Sequence, residues 1–245
     1  MKKLIFIFCT FGLIFNSCSD DASETIDNPS SDGVFLKIII ETYEGEELIT
    51  NFTYLDDKLI EVSDSDGYSE VFIYSNDVLT TIEEYQDDVL EAETELEYDS
   101  NNRLIKESYT YGSGSPQVNE FTYNSDGTIT MDEAGINTYT YSYDVLGNRI
   151  TEAHEEGDED YSYTYDSNNN PFINIHQRNV FELLGRATYA NNILSYINTS
   201  SAAFSDDFTS SYSYNASDYP TNGSTTYNQG SVDQEVVTFQ FIYEL

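Results

Sequence analysis

Apolar and polar residues alternate one by one along most of the chain. Tyr139, Tyr141 and Tyr143 fall on one side of a two-residue period, with Thr138, Thr140 and Ser142 on the other. Tyr161, Tyr163 and Tyr165 alternate with Ser162 and Thr164, and Val237, Phe239, Phe241 and Tyr243 share a face near the C-terminus. Successive side chains of a strand point to opposite faces of a sheet, so the pattern predicts strands with one apolar and one polar face. That is the signature of antiparallel sheet.

The strands come in a repeat. A mostly aromatic residue, then any residue, then a tyrosine is followed by two to five residues rich in Asp, Asn and Gly, and then by an aliphatic residue. The copies place their tyrosines at 54, 74, 98, 123, 143, 165, 189, 214 and 243, with steps of 20, 24, 25, 20, 22, 24, 25 and 29 residues. Such even spacing marks one supersecondary unit used many times. Asn76-Asp77, Asn101-Asn102, Asp126-Gly127 and Asn191-Asn192 are residue types that accept positive φ in tight hairpin turns. Return strands are predicted to start at Leu59, Leu79, Leu104, Ile129, Ile150 and Leu194, and Tyr143 and Tyr165 lead into longer loops at 144–148 and 166–170. The prediction is an all-β antiparallel meander of about eighteen strands in tandem hairpins. One stretch, opened by Asn170-Pro171-Phe172, breaks the rhythm, and a short helix is predicted near 177–184.

A twisted sheet of so many strands curls, splits or closes. A barrel or half-barrel would put the Tyr/Phe face inside, making residues 34–245 a single domain. The outward faces then take the charge. Glu91, Glu93, Glu95 and Glu97 lie on one face of a strand whose other face carries Ala92, Thr94, Leu96 and Tyr98. Four carboxylates in a row are costly against lipid, which counts against a membrane-spanning barrel with its outward apolar band.

Overall the chain sets 45 Asp+Glu against 9 Lys+Arg, for a formal charge of −36. An acidic chain of this kind repels phosphate backbones, so no nucleic-acid partner is expected. Two His and two Cys do not build a four-ligand structural zinc site.

The N-terminus reads as processing signal. Lys2 and Lys3 precede an apolar run from Leu4 to Phe15, a secretory leader in residues 1–17 that is too short to span a bilayer comfortably. Ser17-Cys18 resembles the lipobox of bacterial lipoproteins, which implies lipidation at Cys18 and an outer-membrane anchor. Ser19-Asp20-Asp21 resembles the export signal of Bacteroidota surface lipoproteins, which implies display on the cell exterior. Residues 18–33 read as a flexible tether. Loss of the leader takes both Lys2 and Lys3 and moves the formal charge to about −38.

Tyr141-Ser-Tyr143-Asp144-Val-Leu-Gly147-Asn148-Arg149-Ile150 resembles a YD repeat of the RHS family, whose strands spiral into shells. The mature chain as a whole resembles a family of Bacteroidota lipoproteins named for a Yx(FWY)xxD motif, over residues 34–245 and including the Asn170-Pro171-Phe172 insertion. Phe52, Phe72 and Phe121 stand where that motif has its first Tyr, and Asn168 replaces its final Asp. The resemblance implies a porin-like fold and no known reaction.

Candidate chemistry is sparse. No cofactor is expected. The run His154-Glu155-Glu156-Gly157-Asp158-Glu159-Asp160 gathers oxygen ligands of the kind Ca²⁺ takes, with Glu155, Glu156, Asp158 and Asp160 the candidates and a solvated acidic loop the plainer reading. Asp64-Ser-Asp66-Gly67 is a shorter analogue. His154 reads as a solvated residue at a charged strand end, and no nucleophile motif accompanies either His154 or His176. Asp56/Asp57, Asp87/Asp88 and Asp206/Asp207 read as turn and edge charges rather than a glycosidase pair. Lys58, Arg103 and Arg149 read as local partners of neighbouring Asp residues. The tyrosine row is a glycan platform if exposed and core packing if not. The expectation is a monomeric, non-catalytic surface module that binds a glycan or an envelope protein, with a structural envelope component or a hydrolase of external polymers as alternatives.

Overall fold

A computed structural model describes residues 33–156, 160–200, 207–230 and 234–244. Leader, Cys18 and nearly all of the tether lie outside the described residues. The strands are β1 (Phe35–Tyr43), β2 (Glu46–Leu55), β3 (Lys58–Asp64), β4 (Tyr68–Ser75), β5 (Val78–Gln86), β6 (Val89–Tyr98), β7 (Leu104–Tyr111) and β8 (Gln117–Tyr123). They continue as β9 (Ile129–Glu133), β10 (Asn137–Tyr143), β11 (Arg149–His154), β12 (Tyr161–Tyr165), β13 (Ile193–Asn198), β14 (Phe208–Tyr214), β15 (Pro220–Tyr227) and β16 (Glu235–Glu244). Each pairs antiparallel with the next, and β16 pairs with β1, so the sheet closes into a barrel.

The strand count among the described residues is therefore sixteen, not about eighteen, and the repeat explains why. Seven of the nine tyrosine copies head a strand pair. Tyr189 does not: it lies outside any strand, buried against Tyr163 and Tyr165. Tyr243 ends β16, whose partner beyond β15 is the first strand, β1, rather than a further return strand. The last copy thus closes the barrel.

Local chemistry sets the hairpins. Asn76 and Asp77 both adopt positive φ, 49° and 69°, the conformation that a two-residue turn needs to match strand twist. In the longer turns an Asp carboxylate organises the backbone: Asp99 Oδ1 accepts from the amides of Asn101 and Arg103, and Asp144 Oδ1 from those of Leu146 and Asn148. A register shift sits next to the repeat tyrosine in six strand pairs, at Tyr54, Tyr74, Tyr98, Tyr143, Tyr165 and Tyr214. These bulges sharpen the local twist. They set Leu59, Leu79 and Leu104, near the predicted strand starts, opposite their tyrosines, while Arg149, one residue before the predicted start at Ile150, stands opposite Tyr143 and Ile193 opposite Tyr165.

Residues 166–192, between β12 and β13, plug one end. Their only helix is α1 (Arg178–Leu183), within the predicted stretch. The segment reaches across the turns at that end: the His176 amide donates to Asp57 O, the Asn169 amide to Asp218 O, and Gln177 Oε1 accepts from the Leu79 amide. Phe172 packs edge-on against Phe52, and Phe181, fully buried, against Phe72. With Ile175, Val180 and Leu183 these rings join the inner faces of β1–β5 in one core. A fully buried phenylalanine of this kind stabilises by roughly 1.5–3 kcal/mol. Asn191-Asn192 is not a turn tip. Both are buried in an asparagine network in which Asn148 Nδ2 donates to Asn191 Oδ1 and Asn192 Nδ2 to Asp166.

Candidate functional site: the barrel lumen beyond the plug

The repeat tyrosines line the plugged end. Tyr74, Tyr123, Tyr165 and Tyr243 each donate from the hydroxyl to a carbonyl of an earlier strand, at Leu59 (3.0 Å), Leu104 (3.0 Å), Arg149 (2.6 Å) and Pro220 (2.8 Å) respectively. Arg103 lies over the Tyr123 ring, 4.4 Å from its centre, and also bonds Asp99, as the turn chemistry predicted. Lys58 reaches Asp77 of the next hairpin at 2.6 Å. Arg149 departs from expectation. It points inward, stacks 3.7 Å from the centre of Tyr141 and ion-pairs with Glu182 of the plug at 2.6 Å and with Glu152 at 2.9 Å. Glu182 is also held by the Tyr143 hydroxyl. Burial pushes the Glu182 carboxyl up, while Arg149 pulls it down.

Beyond the plug, the lumen holds a cavity of about 560 Å³. This is a volume suited to a small ligand. Its floor is Leu184, Gly185 and Arg186 of the plug, and its walls include Glu84, Thr94, Glu107, Tyr109, Asn119, Glu133 and Asn137. It opens to the surface where the exposed Gln117, Ala134 and Ile136 line the mouth. Arg186 bonds Glu70 with both terminal nitrogens, at 2.6 and 2.5 Å. Directly opposite Glu70 across β4–β5 stands Glu84, which the Tyr68 side chain hydrogen-bonds and no ion pair answers among the described residues. Burial first, then the Glu70 charge, raises Glu84 to about 7, with Arg186 acting against the shift. Glu107, which accepts from Asn119 Nδ2, is also raised by burial.

The wall formed by β12–β15 is aromatic. Tyr161 and Tyr196 stack with ring centres 4.4 Å apart and planes within 7°. Phe208 follows at 5.4 Å and Tyr227 at 5.5 Å from Phe208. Glu41, on β1 between the buried Leu48 and Phe239 of the neighbouring strands, is 8% exposed. It makes no hydrogen bond or ion pair among the described residues, and burial raises it to about 7. Its charge also raises the nearby Tyr227 phenol, after burial. Neither Glu41 nor Glu84 stood out in the sequence, because their charge resembled that of dozens of outward carboxylates; only the strand register shows that they point inward.

The sequence-predicted sites fall elsewhere. Glu155 and Glu156 are exposed, Asp160 Oδ1 accepts from the His154 amide, and Asp158 lies outside the described residues. Asp64 Oδ1 organises its own turn by accepting from the Asp66 and Tyr68 amides. Among the described residues no group of three or more His, Cys, Asp or Glu is placed to hold a metal ion. His154 is not the solvated residue expected: it is half-buried beside Tyr139, with ring centres 5.0 Å apart. Asp56, Asp87 and Asp88 take positive φ in turns. Asp207 accepts from the Asn198 amide. Asp206 lies outside the described residues.

No family model matches the chain, and no curated protein is similar to it. Solved structures are. The fold resembles a porin-like protein from Bacteroides uniformis at 13% identity and a TM-score of 0.54, covering 86% of this chain and 96% of that one. A porin-like protein from Bacteroides vulgatus matches at 14% identity and a TM-score of 0.43, covering 86% of this chain and 99% of that one. The first likeness shows a porin-like barrel fold.

Proposed function

We propose that this protein is a non-catalytic binding module, anchored through Cys18 to the outer membrane and displayed outside the cell, that takes a glycan into the lumen beyond its plug. The observation that carries this reading is the blocked barrel: residues 166–192 close one end, and the cavity above them is walled by Glu, Asn, Gln, Thr and Tyr side chains. Planar polar groups beside the Tyr109 ring suit a polyhydroxylated ligand, whose hydroxyls they bond and whose ring face the phenol stacks on. The plug stands against a conducting pore. Charged and polar residues on the outer face count against a spanning barrel: β6 turns Glu95 and Glu97 to solvent, and β14 and β15 turn out Ser211, Ser213 and Asn222, while exposed apolar residues such as Ile49, Ile73 and Val236 lie on β2, β4 and β16. A non-catalytic role fits the carboxylates. Glu84 and Glu107 are both raised by burial, whereas an acid/base pair needs environments that push the two apart. The mature chain is tested on a glycan array, where saturable binding is expected. A blank array, with only envelope proteins recovered in pull-downs, would favour a structural component instead. Protease treatment of intact cells is expected to release the domain, and Cys18→Ala to leave it soluble.

A further inference from the structure

We infer that the ligand of this lumen carries a positive charge, so that within the glycan reading above, on which this inference rests, the preferred class is an oligosaccharide bearing free amino groups. Two independent features point there. The first is the cavity itself, in which Glu84, Glu107 and Glu133 line one space that opens to the surface, and the cation in its lining, Arg186, is already bonded by both terminal nitrogens to Glu70. The second is Glu41. It is more than nine-tenths buried on the inner face of β1, it makes no hydrogen bond or ion pair among the described residues, and it adjoins the aromatic row at Tyr227. Three of these carboxylates lie toward the strand ends away from the plug, Glu41 two residues before the end of β1, Glu84 two before the end of β5 and Glu133 at the end of β9, while Glu107 lies midway along β7.

A buried carboxylate without a partner is costly, and a cation placed beside it relieves that cost. The same barrel shows the alternative where the plug meets its wall, since there Glu70 and Glu182 are answered by Arg186 and Arg149. Aromatic faces next to the carboxylate add cation–π attraction for an ammonium group and stacking for the sugar ring that carries it. An amino sugar combines both demands in one ligand, with the charge at Glu41 and the ring on the aromatic row that Tyr227 and Phe208 begin beside it.

The test is isothermal titration of the mature chain with a glucosamine oligomer, with the N-acetylated oligomer of the same length, and with an uncharged glucose oligomer. The expected result is saturable binding of the glucosamine oligomer, at least about tenfold tighter than either neutral oligomer. Glu41→Gln and Glu84→Gln are each expected to remove most of that preference while the fold stays intact by melting. Because an acidic protein attracts any polycation, Glu93→Gln/Glu95→Gln on the outer face of β6 serves as the control and is expected to leave the affinity within about twofold. Equal binding of charged and neutral oligomers would overturn the charge inference and leave the glycan reading standing. Weakening by the outer-face variant as large as that by Glu41→Gln would show diffuse attraction and overturn it as well. No binding of any oligomer would overturn both.

Discussion

Glu70 and Glu84 stand opposite each other across one strand pair, on the same inner face, and share almost nothing else. Glu70 is 1% exposed and gripped by both terminal nitrogens of Arg186. Glu84 has no such partner and sits near neutrality in its titration, at about 7. The two show the two ways in which this barrel holds an inward carboxylate. Where plug and wall meet, the buried carboxylates Glu70 and Glu182 each have a guanidinium, and four repeat tyrosine hydroxyls find carbonyls. Elsewhere Glu41, Glu84 and Glu107 face a cavity or an aromatic wall without an ion pair. The first arrangement has solved its electrostatics internally. The second presents an unsolved one, and unsolved burial is where a ligand has something to contribute.

The sharpest way to break this contrast is to take away Arg186. Arg186→Met leaves Glu70 buried with no counter-charge, and such a loss typically costs about 3–5 kcal/mol. Urea unfolding followed by tyrosine fluorescence is expected to show a loss of that size, since the pair ties the plug to β4. Replacing both partners, as in Glu70→Leu/Arg186→Met, is expected to recover most of it, because a well-packed apolar pair needs no counter-charge. Lys106→Met, which breaks the outer pair with Glu97 at 2.6 Å, is expected to cost no more than about 1 kcal/mol. Equal costs for Arg186→Met and Lys106→Met would mean that the plug is held by its apolar contacts alone.

The unpaired carboxylates have their own signature, in pH. Burial raises Glu41 from 4.5 to about 7, so between those values the folded barrel holds a proton that the unfolded chain has released. Its contribution to stability is complete below pH 4.5 and is lost as the pH rises through about 7. Stability is therefore expected to increase as the pH falls from 8 to 5, by on the order of 3 kcal/mol from Glu41, with a smaller share from the less buried Glu84. Glu41→Gln keeps the neutral form at every pH and is expected to flatten most of that slope, while Glu95→Gln leaves it in place. An unchanged slope in Glu41→Gln would place the pH dependence in the general repulsion of an acidic surface instead.

These two arrangements were not equally legible in the sequence. Period-two alternation and the tyrosine repeat carried the all-β meander and its curling, because both follow from strand geometry alone. Closure, and the loss of two strands from the count, depended on β16 meeting β1 and on Tyr189 leaving the sheet, which are long-range facts. Arg149 was misplaced for a related reason. A register shift at Ser142/Tyr143 carries it inward beside Tyr143 and leaves Ile150 outside, and alternation read without the bulge assigns the opposite faces. The lumenal carboxylates were hidden by composition, since in a chain with 45 acidic residues an inward Glu looks like any other.

The tyrosine hydroxyls give the finest comparison between the two. At the plugged end Tyr123 donates to Leu104 O at 3.0 Å while its ring carries Arg103, and the same hydroxyl-to-carbonyl bond recurs at Tyr74, Tyr165 and Tyr243. Tyr123→Phe leaves a carbonyl short of one donor at a bulge and is expected to cost about 1 kcal/mol. Tyr109, on the cavity wall, has its phenol raised by burial and then by Glu84, and no hydrogen bond holds it among the described residues. Tyr109→Phe is expected to change stability by no more than about 0.5 kcal/mol and to weaken the glucosamine oligomer instead. A variant pair that divides in this way, one hydroxyl moving the melting curve and the other moving only the binding isotherm, is what separate structural and recognition roles require. If Tyr109→Phe costs as much stability as Tyr123→Phe and leaves binding untouched, the cavity wall is scaffold and the contrast between Glu70 and Glu84 does not extend to its tyrosines.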